Sequence, residues 1–261
     1  TGHKWFFFFF MCDGHLVLAR TDERGVTCFF VPRWRPDGSK NAIHIQRLKD
    51  KVGNRSNSSS EVEFTDAWGV LIGDEGRGIS TIIEMATFTR LDCALSSAGF
   101  IRQAFTQALH YSRNRHAFGK ALADQPLMTE LLADMALESE AATLLAMDLA
   151  THFGSTTALD TAWRRVMTPV AKFWNCKRAV GLTGEAMEVF GGNGYVETGP
   201  MGRLFREAPV NSIWEGSGNV MCLDVLRAVS RNPDDAHLVL DHLRSVATQD
   251  AVVLAQLQKL R

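Results

Sequence analysis

The chain has 261 residues, of which 46% are hydrophobic, and this is enough to form one large domain or two ordinary domains with a buried core. Its formal net charge of −1 argues against a globally basic, nucleic-acid-binding protein. The five cysteines are scattered without CxxC spacing, so we predict neither a metal site nor a disulfide framework, and we expect a reducing, cytoplasmic compartment. No apolar run approaches the roughly 20 residues that span a bilayer, so we expect a soluble protein without a membrane partner.

The first part of the chain has the pattern of a small β domain. Strand-like runs separated by polar turns occur at residues 16–19, 26–31, 43–45 and 61–64. Several short strands in succession predict a β barrel or a β sandwich. Five consecutive phenylalanines, residues 6–10, precede these runs and show no alternation, so a half-buried strand would have to expose some of their rings.

From Gly78 onwards the hydrophobic spacing changes to three or four residues, which predicts long amphipathic helices. We expect these helices at residues 78–109, 126–153 and 159–189, and shorter helices after residues 218 and 233. Long antiparallel helices joined by short loops predict a four-helix bundle. The predicted fold class is therefore α+β, with a small β domain followed by a helical bundle.

Two glycine-rich turns in the second half of the chain are candidate ligand sites. The glycines of residues 190–195 leave amide N–H groups uncovered, which suits an anionic or heteroaromatic ligand. In the second turn, Glu215 lies between the bulky Trp214 and Gly216, where partial desolvation suits a general base. The alternative is structural: residues 190–195 form an ordinary turn, and Glu215 is an acid at the start of the following helix.

A basic segment falls in the loop after the first long helix. It contains Arg113, Arg115 and Lys120, and these residue types alone predict a solvated basic turn. Arginine in such a loop also suits phosphate, because its planar fork can donate two parallel hydrogen bonds.

Taken together, these segments resemble the acyl-CoA dehydrogenase family of flavoproteins. The matching blocks occur in the family's order and at about its spacings; they are RHAFGK at residues 115–120 with Gln125, EVFGGNGY at residues 188–195 and IWEGS at residues 213–217. Residues 53–57, 188–195 and 209–219 are most similar to the AidB branch, the adaptive-response flavoproteins linked to DNA alkylation. The resemblance extends from residue 1 to about residue 232.

The resemblance implies an FAD-dependent oxidoreductase that introduces an α,β double bond into an acyl-CoA thioester. Glu215 is then the base that removes the α-proton, while the β-hydrogen leaves as hydride to the flavin. Residues 1–77 correspond to the family's middle β domain and residues 78–231 to its helical bundle. We expect an N-terminal helical domain before residue 1, and we expect residues 232–261 to begin an extra helical domain.

The resemblance also implies which residues contact the cofactor. The family's first strand places an aromatic and then a small hydroxyl residue against the flavin, at positions matching Phe6 and Phe8, although Phe8 has no hydroxyl. The basic loop reaches across a subunit interface to a neighbour's FAD, which implies an oligomer, and we expect a homotetramer built as a dimer of dimers. The expected cofactor contacts are Phe6, Phe8, Arg115, Phe118, Gln125, Glu188, Gly191, Gly192, Trp214, Ser217 and Asn219.

Two positions differ from the residue types that are common in the family, and the expected role of a third has an alternative. Glu188 stands where many members have glutamine, and an acid there has to be paired or exposed. Thr89 stands where some branches place their catalytic glutamate, and it cannot act as a base. Arg90 and Gly216 are expected to contact the substrate, but Arg90 can instead form an ion pair with a local acid.

Three functional classes remain open. The first is an acyl-CoA dehydrogenase with an unidentified electron acceptor. The second is a flavoprotein that binds double-stranded DNA and has weak dehydrogenase activity, and the third is a flavin-free interaction module. Residues 231–261 bear on the second class, because they contain four Lys/Arg and four Asp/Glu and therefore form no basic stripe.

Overall fold

The computed structural model describes residues 1–21, 24–247 and 250–259. The chain divides into two compact units, Thr1–Phe88 and Thr89–Arg261. Six strands precede the first helix, and strands and helices are segregated along most of the chain, which confirms the α+β class. The predicted domain borders after residues 77 and 231 stay predictions.

The described part of the first unit holds six strands in two antiparallel sheets. They are β1 (Gly2–Phe7), β2 (Gly14–Thr21), β3 (Gly25–Pro32), β4 (Ile43–Leu48), β5 (Ser60–Phe64) and β6 (Val70–Ile72). One sheet has the strand order β1-β5-β4 and the other β2-β3-β6. Val17 and Val31 of one sheet share an apolar cluster with Val62 and Phe64 of the other, so the sheets pack as a sandwich. The four predicted strands are confirmed.

The run of phenylalanines divides between strand and turn. Strand β1 ends at Phe7, whose ring packs against His15 and Phe64 at centroid distances of 4.7 and 5.7 Å. Phe6 and Phe9 are about half exposed, and Phe9 has a positive φ of 55° where the chain turns. The run therefore exposes some of its rings, as predicted, while Phe7 packs against the core of the sandwich.

Helices dominate the remaining described residues. They are α1 (Gly78–Asn114), α2 (Pro126–Thr151), α3 (Ala158–Val189), α4 (Met201–Asn211), α5 (Gly218–Arg231), α6 (Pro233–Val246) and α7 (Ala251–Gln258). The predicted helices are confirmed, whereas α4 and α7 are missed. Helix α4 is short and contains Pro209, a residue that usually ends a helix. Within the described residues, no helix combines the length and the apolar character required to cross a membrane.

The main core of the second unit is shared by four helices. Helices α1 to α4 contribute its buried side chains, including Ile101, Met135, Leu182 and Leu204. Alanine is the commonest member of this cluster, so the helix backbones can approach closely. This packing fixes the ends of α3 and α4, from which the two glycine-rich turns begin.

A second core cluster extends the bundle to α5 and α6. Val239 of α6 is buried with Leu91 of α1, Trp163 of α3 and Ala228 of α5. His242 of α6 also meets the Trp163 ring edge-on, at 5.1 Å and 88°. Helix α6 is therefore packed onto the bundle.

We predict that Leu132→Ala lowers the free energy of unfolding by about 2–5 kcal/mol, because it leaves a cavity in the main core. Leu127→Ala on the same helix is the matched control, with an expected change within about 0.5 kcal/mol. The two leucines are 6% and 81% exposed, respectively. Urea unfolding followed by circular dichroism measures both, and equal losses would contradict the core assignment.

Candidate active site

Glu215 lies in the turn between α4 and α5. Helix α4 ends at Asn211, and the N–H groups of Ser212 and Ile213 continue its hydrogen bonding to Pro209 and Val210. Glu215 then adopts a φ of +57° and Gly216 a φ of +101°. A non-glycine residue in this region is strained and persists only where its surroundings hold it. The N-cap of α5 is Ser217, so Glu215 lies outside that helix.

Gly216 is required by both its conformation and its surroundings. A Cβ atom at this position would lie 2.6 Å from Cε of Met221 and 3.1 Å from Cγ1 of Val220. A side chain would therefore have to displace the first turn of α5 as well as adopt an unfavourable φ.

Arg90 of α1 holds the carbonyl group of Glu215. Its Nε donates to that oxygen at 3.0 Å, and its NH1 donates to Oδ2 of Asp224 at 2.8 Å. Asp224 lies on α5, is 9% exposed, and also accepts a hydrogen bond from Arg165 of α3 at 3.0 Å. Arg90 therefore forms an ion pair, as the alternative to substrate contact predicted, but its partner is distant in sequence and not a local acid. Substrate contact by Arg90 stays a prediction.

Lys172 of α3 holds the next carbonyl group. Its ammonium donates to the Gly216 oxygen at 2.7 Å and to the Asn211 oxygen at 3.0 Å, so it bonds to both ends of the turn. The residue is 1% exposed. Burial is the main cause that lowers the pKa of Lys172 from its ordinary value. The nearby thiol of Cys93 is also buried, which raises its pKa to about 12.

The side chain of Asn211 ties the turn to α1 as well. Its Nδ2 donates to Oγ of Ser97 at 3.1 Å, and its Oδ1 accepts from Nε1 of Trp214 at 2.9 Å. Ser97 is fully buried and also contacts the sulfur of Cys176 at 3.3 Å. The orientation of Trp214, the neighbour of Glu215, is therefore determined by a buried polar network.

The other glycine-rich turn packs against the end of α1. Phe190 stacks on Tyr111 with ring centroids 4.3 Å apart, and Asn193 donates to the Tyr111 hydroxyl at 3.4 Å. Gly194 is buried where a Cβ would lie 2.1 Å from the carbonyl oxygen of Met187, so a glycine is needed there. Glu188, Gly191 and Gly192 are exposed.

The basic loop forms a two-stranded hairpin, β7 (His116–Ala117) and β8 (Lys120–Ala121). Phe118 and Gly119 form its turn with φ values of 54° and 85°, as in a type I′ turn. The Phe118 side chain is 92% exposed, and Arg115 is exposed as well. Gln125 closes the hairpin, because its Nε2 donates to the Ala117 oxygen at 3.2 Å.

The structure thus brings the predicted residues of the second unit into two groups. Arg90, Trp214 and Gly216 belong to the Glu215 turn, and the exposed Ser217 and Asn219 begin α5 directly after it. Arg115, Phe118, Gln125, Glu188, Gly191 and Gly192 belong to the segments that adjoin Tyr111. Phe6 and Phe8 belong to the first unit, where their rings lie 5.9 Å apart.

The sequence prediction misses Lys172, Asp224 and Tyr111. Helical spacing offers a signal for Lys172, because it places this lysine on the same buried face of α3 as Thr168, Asn175 and Cys176. Lys172 donates to two backbone carbonyl groups 39 and 44 residues away, and Arg90 and Arg165, which donate to Asp224, are also distant in sequence, so no local pattern identifies these contacts.

The exposed residues of the hairpin and the 190–195 turn fit the diphosphate and adenine parts of FAD. Arg115 supplies a cationic fork, and Gly191 and Gly192 leave main chain accessible to a phosphate. The nearly fully exposed ring of Phe118 suits stacking on an aromatic base. A large apolar side chain held outward by a tight turn is typical of a binding surface.

Comparison with known proteins agrees with the fold and these motifs. Residues 76–230 match the family described as acyl-CoA dehydrogenase, C-terminal domain. The chain is 51% identical over 96% of its length to the putative acyl-CoA dehydrogenase AidB of Escherichia coli, of which it covers 46%. It is 35% identical over 88% of its length to acyl-CoA dehydrogenase family member 11 of Caenorhabditis elegans, of which it covers 39%.

A solved structure shows the same architecture. The C. elegans protein ACDH-11 in complex with C11-CoA superposes with a TM-score of 0.88 and 33% sequence identity, covering 95% of this chain and 45% of that one. The chain belongs to the acyl-CoA dehydrogenase family, whose members use FAD. It spans about half the length, or less, of the relatives named here.

We predict that Gly216→Ala lowers the free energy of unfolding by about 1–2 kcal/mol, because an L residue is strained at this φ. Gly99→Ala is the matched control, since Gly99 lies exposed within α1 and a Cβ there meets nothing within 4 Å. This control should stabilise the protein by about 0.5–1 kcal/mol. Chemical unfolding measures both variants, and stabilisation by Gly216→Ala would contradict the assigned backbone conformation.

Proposed function

We propose that this protein is an FAD-dependent oxidoreductase that forms an α,β double bond in an acyl-CoA thioester, with Glu215 as the base. The observation that carries the proposal is the backbone of Glu215, which holds a positive φ under hydrogen bonds from two cations to successive carbonyl groups. Strain maintained by surrounding contacts is characteristic of functional residues. The bound C11-CoA of the C. elegans relative supports the substrate class.

The chain's own residues would act on the proton and on the thioester. The Glu215 carboxylate would take the α-proton, and its side chain is only partly exposed. Among the described residues no acceptor pairs with the backbone N–H of Glu215, which is free to donate to the thioester oxygen and stabilise developing negative charge. Bound FAD would supply the redox chemistry, as the acceptor of the β-hydrogen.

The proposed cofactor contacts follow from the family resemblance. We propose that Arg115 and Phe118 contact the adenine and diphosphate end of FAD bound by a neighbouring subunit. Phe6 and Phe8 would contact the flavin ring, but Phe8 offers an aromatic surface where the family has a hydroxyl. The site would therefore lack one polar contact to the flavin.

Binding of double-stranded DNA is the alternative function. The described residues of α6 and α7 do not favour it, because the first turn of α6 is acidic and α7 is mostly apolar. A cytoplasmic location likewise stays a prediction. Measurement of duplex-DNA binding beside flavin reduction tests this alternative.

We predict that Glu215→Gln in the full-length protein slows acyl-CoA-dependent flavin reduction by at least about 10²-fold, since it removes the base but keeps the size of the side chain. Flavin content should not change. Stopped-flow absorbance of the oxidised flavin measures the rate with short branched acyl-CoAs. Glu140→Gln is the matched control, because Glu140 is an exposed glutamate on α2.

Two results would contradict this assignment. Full activity of Glu215→Gln would show that another group is the base. The DNA-binding alternative is favoured if the unmodified protein reduces no flavin but binds duplex DNA. Its affinity for the duplex should then be lower at the higher of two salt concentrations.

We further propose a homotetramer, because α2 and α3 expose large apolar side chains. Leu137, Leu144, Met147 and Trp174 are each about half exposed or more. Apolar side chains on neighbouring helices suit burial against a second subunit. Sedimentation of the full-length protein at micromolar concentration should give a tetramer, and a monomer would contradict this proposal and the shared flavin site.

A further inference from the structure

One buried cation joins the two ends of the turn that carries Glu215. The Lys172 ammonium donates to the carbonyl oxygen of Asn211, the last residue of α4, and to that of Gly216, which directly follows Glu215. Trp214 and Glu215 lie between these two attachment points. The length and direction of the turn therefore depend on one side chain of a third helix, α3.

Burial of the Lys172 ammonium carries a desolvation cost that lowers the stability of the folded state. Lys172 is 1% exposed, and its ammonium donates to two neutral carbonyl groups, while the Glu215 carboxylate acts on it only as a nearby charge. A buried charge that is satisfied by neutral carbonyl groups loses much of its hydration energy, and an apolar residue of similar volume often gives equal or greater stability. A lysine at this position is therefore better explained by what it holds than by a contribution to stability.

The other supports of the turn do not replace this one. Within the turn, Arg90 donates to the Glu215 carbonyl group and not to those of Asn211 or Gly216, and the Asn211 side chain bonds to Ser97 and Trp214. Only Lys172, among the described residues, donates to both Asn211 and Gly216. Without it, the turn would lose the bond that closes its two ends while α3, α4 and α5 keep their apolar packing.

We propose that Lys172 is a positioning residue for the base: its ammonium fixes the 211–216 turn so that the Glu215 carboxylate is presented in a single place. This inference rests on the proposed dehydrogenation. Lys172 is not expected to touch the substrate or the flavin, since its side chain is buried and its ammonium donates to carbonyl groups of the turn. Its loss should therefore affect the rate of proton removal rather than the binding of acyl-CoA.

The first test is hydrogen exchange of the turn, which does not depend on activity. Lys172→Met keeps the length of the side chain and removes the cation, and we expect amide exchange in peptides covering residues 212–217 to become about tenfold faster. Lys172→Arg should restore much of the protection, because it keeps a buried donor. Arg178→Met is the control, since Arg178 is a cation of the same helix that pairs with Glu138 instead.

The second test is single-turnover flavin reduction in the full-length protein. With the base displaced, the rate constant should fall by about 10- to 100-fold at full amplitude, while the dissociation constant for acyl-CoA stays within about threefold. A partly unfolded sample behaves differently, because its folded fraction reacts at the normal rate with reduced amplitude. The thermal midpoint of Lys172→Met should not fall.

The outcomes separate this inference from the proposed function. Unchanged exchange at residues 212–217, or a normal rate constant in Lys172→Met, overturns the positioning role. Failure of the unmodified protein to reduce flavin overturns the proposed function, and with it the catalytic part of this inference. If Lys172→Met does not fold, Lys172→Gln takes its place, and the same two measurements decide.

Discussion

The structure of the candidate site depends on hydrogen bonds from two positive charges to two successive backbone carbonyl groups. Glu215 and Gly216 both have positive φ values, a combination that a free chain rarely adopts. Arg90 from α1 and Lys172 from α3 accordingly approach this turn from different helices. The bundle thus does more than enclose a core, because the packing of its helices sets the position of each cation. Burial of these two charges opposes folding through desolvation, and the apolar packing of the bundle offsets that desolvation free energy.

The elements of the fold were largely predictable because they repeat a local pattern. The change of hydrophobic spacing at Gly78 marks the start of α1, and the polar turns between strand-like runs mark the sandwich. Short elements escape such patterns: β6 has three exposed residues, and α4 contains Pro209 within 11 residues. In these elements tertiary contacts, rather than local sequence, decide the structure.

The residues of the site were only partly predictable, for a related reason. Glu215 and the glycines can be recognised because their types and spacing are visible along the chain. The groups that hold them are not, since Lys172 lies 44 residues from Gly216 and Arg90 lies 134 residues from Asp224. Moreover, every residue has a backbone carbonyl group, so the sequence cannot indicate which carbonyl groups of the turn accept a hydrogen bond from a buried cation. Such support becomes visible only in three dimensions.

Helix α6 has a consequence for how the protein can be divided. Its side chains Val239 and His242 cover Trp163, which in turn packs on the core formed with Leu91 of α1. A chain cut at the end of α5 would therefore leave an uncovered tryptophan and a hydrophobic surface that favours aggregation. The helical bundle and the segment that follows it consequently share buried contacts, so removing the segment would also weaken the bundle.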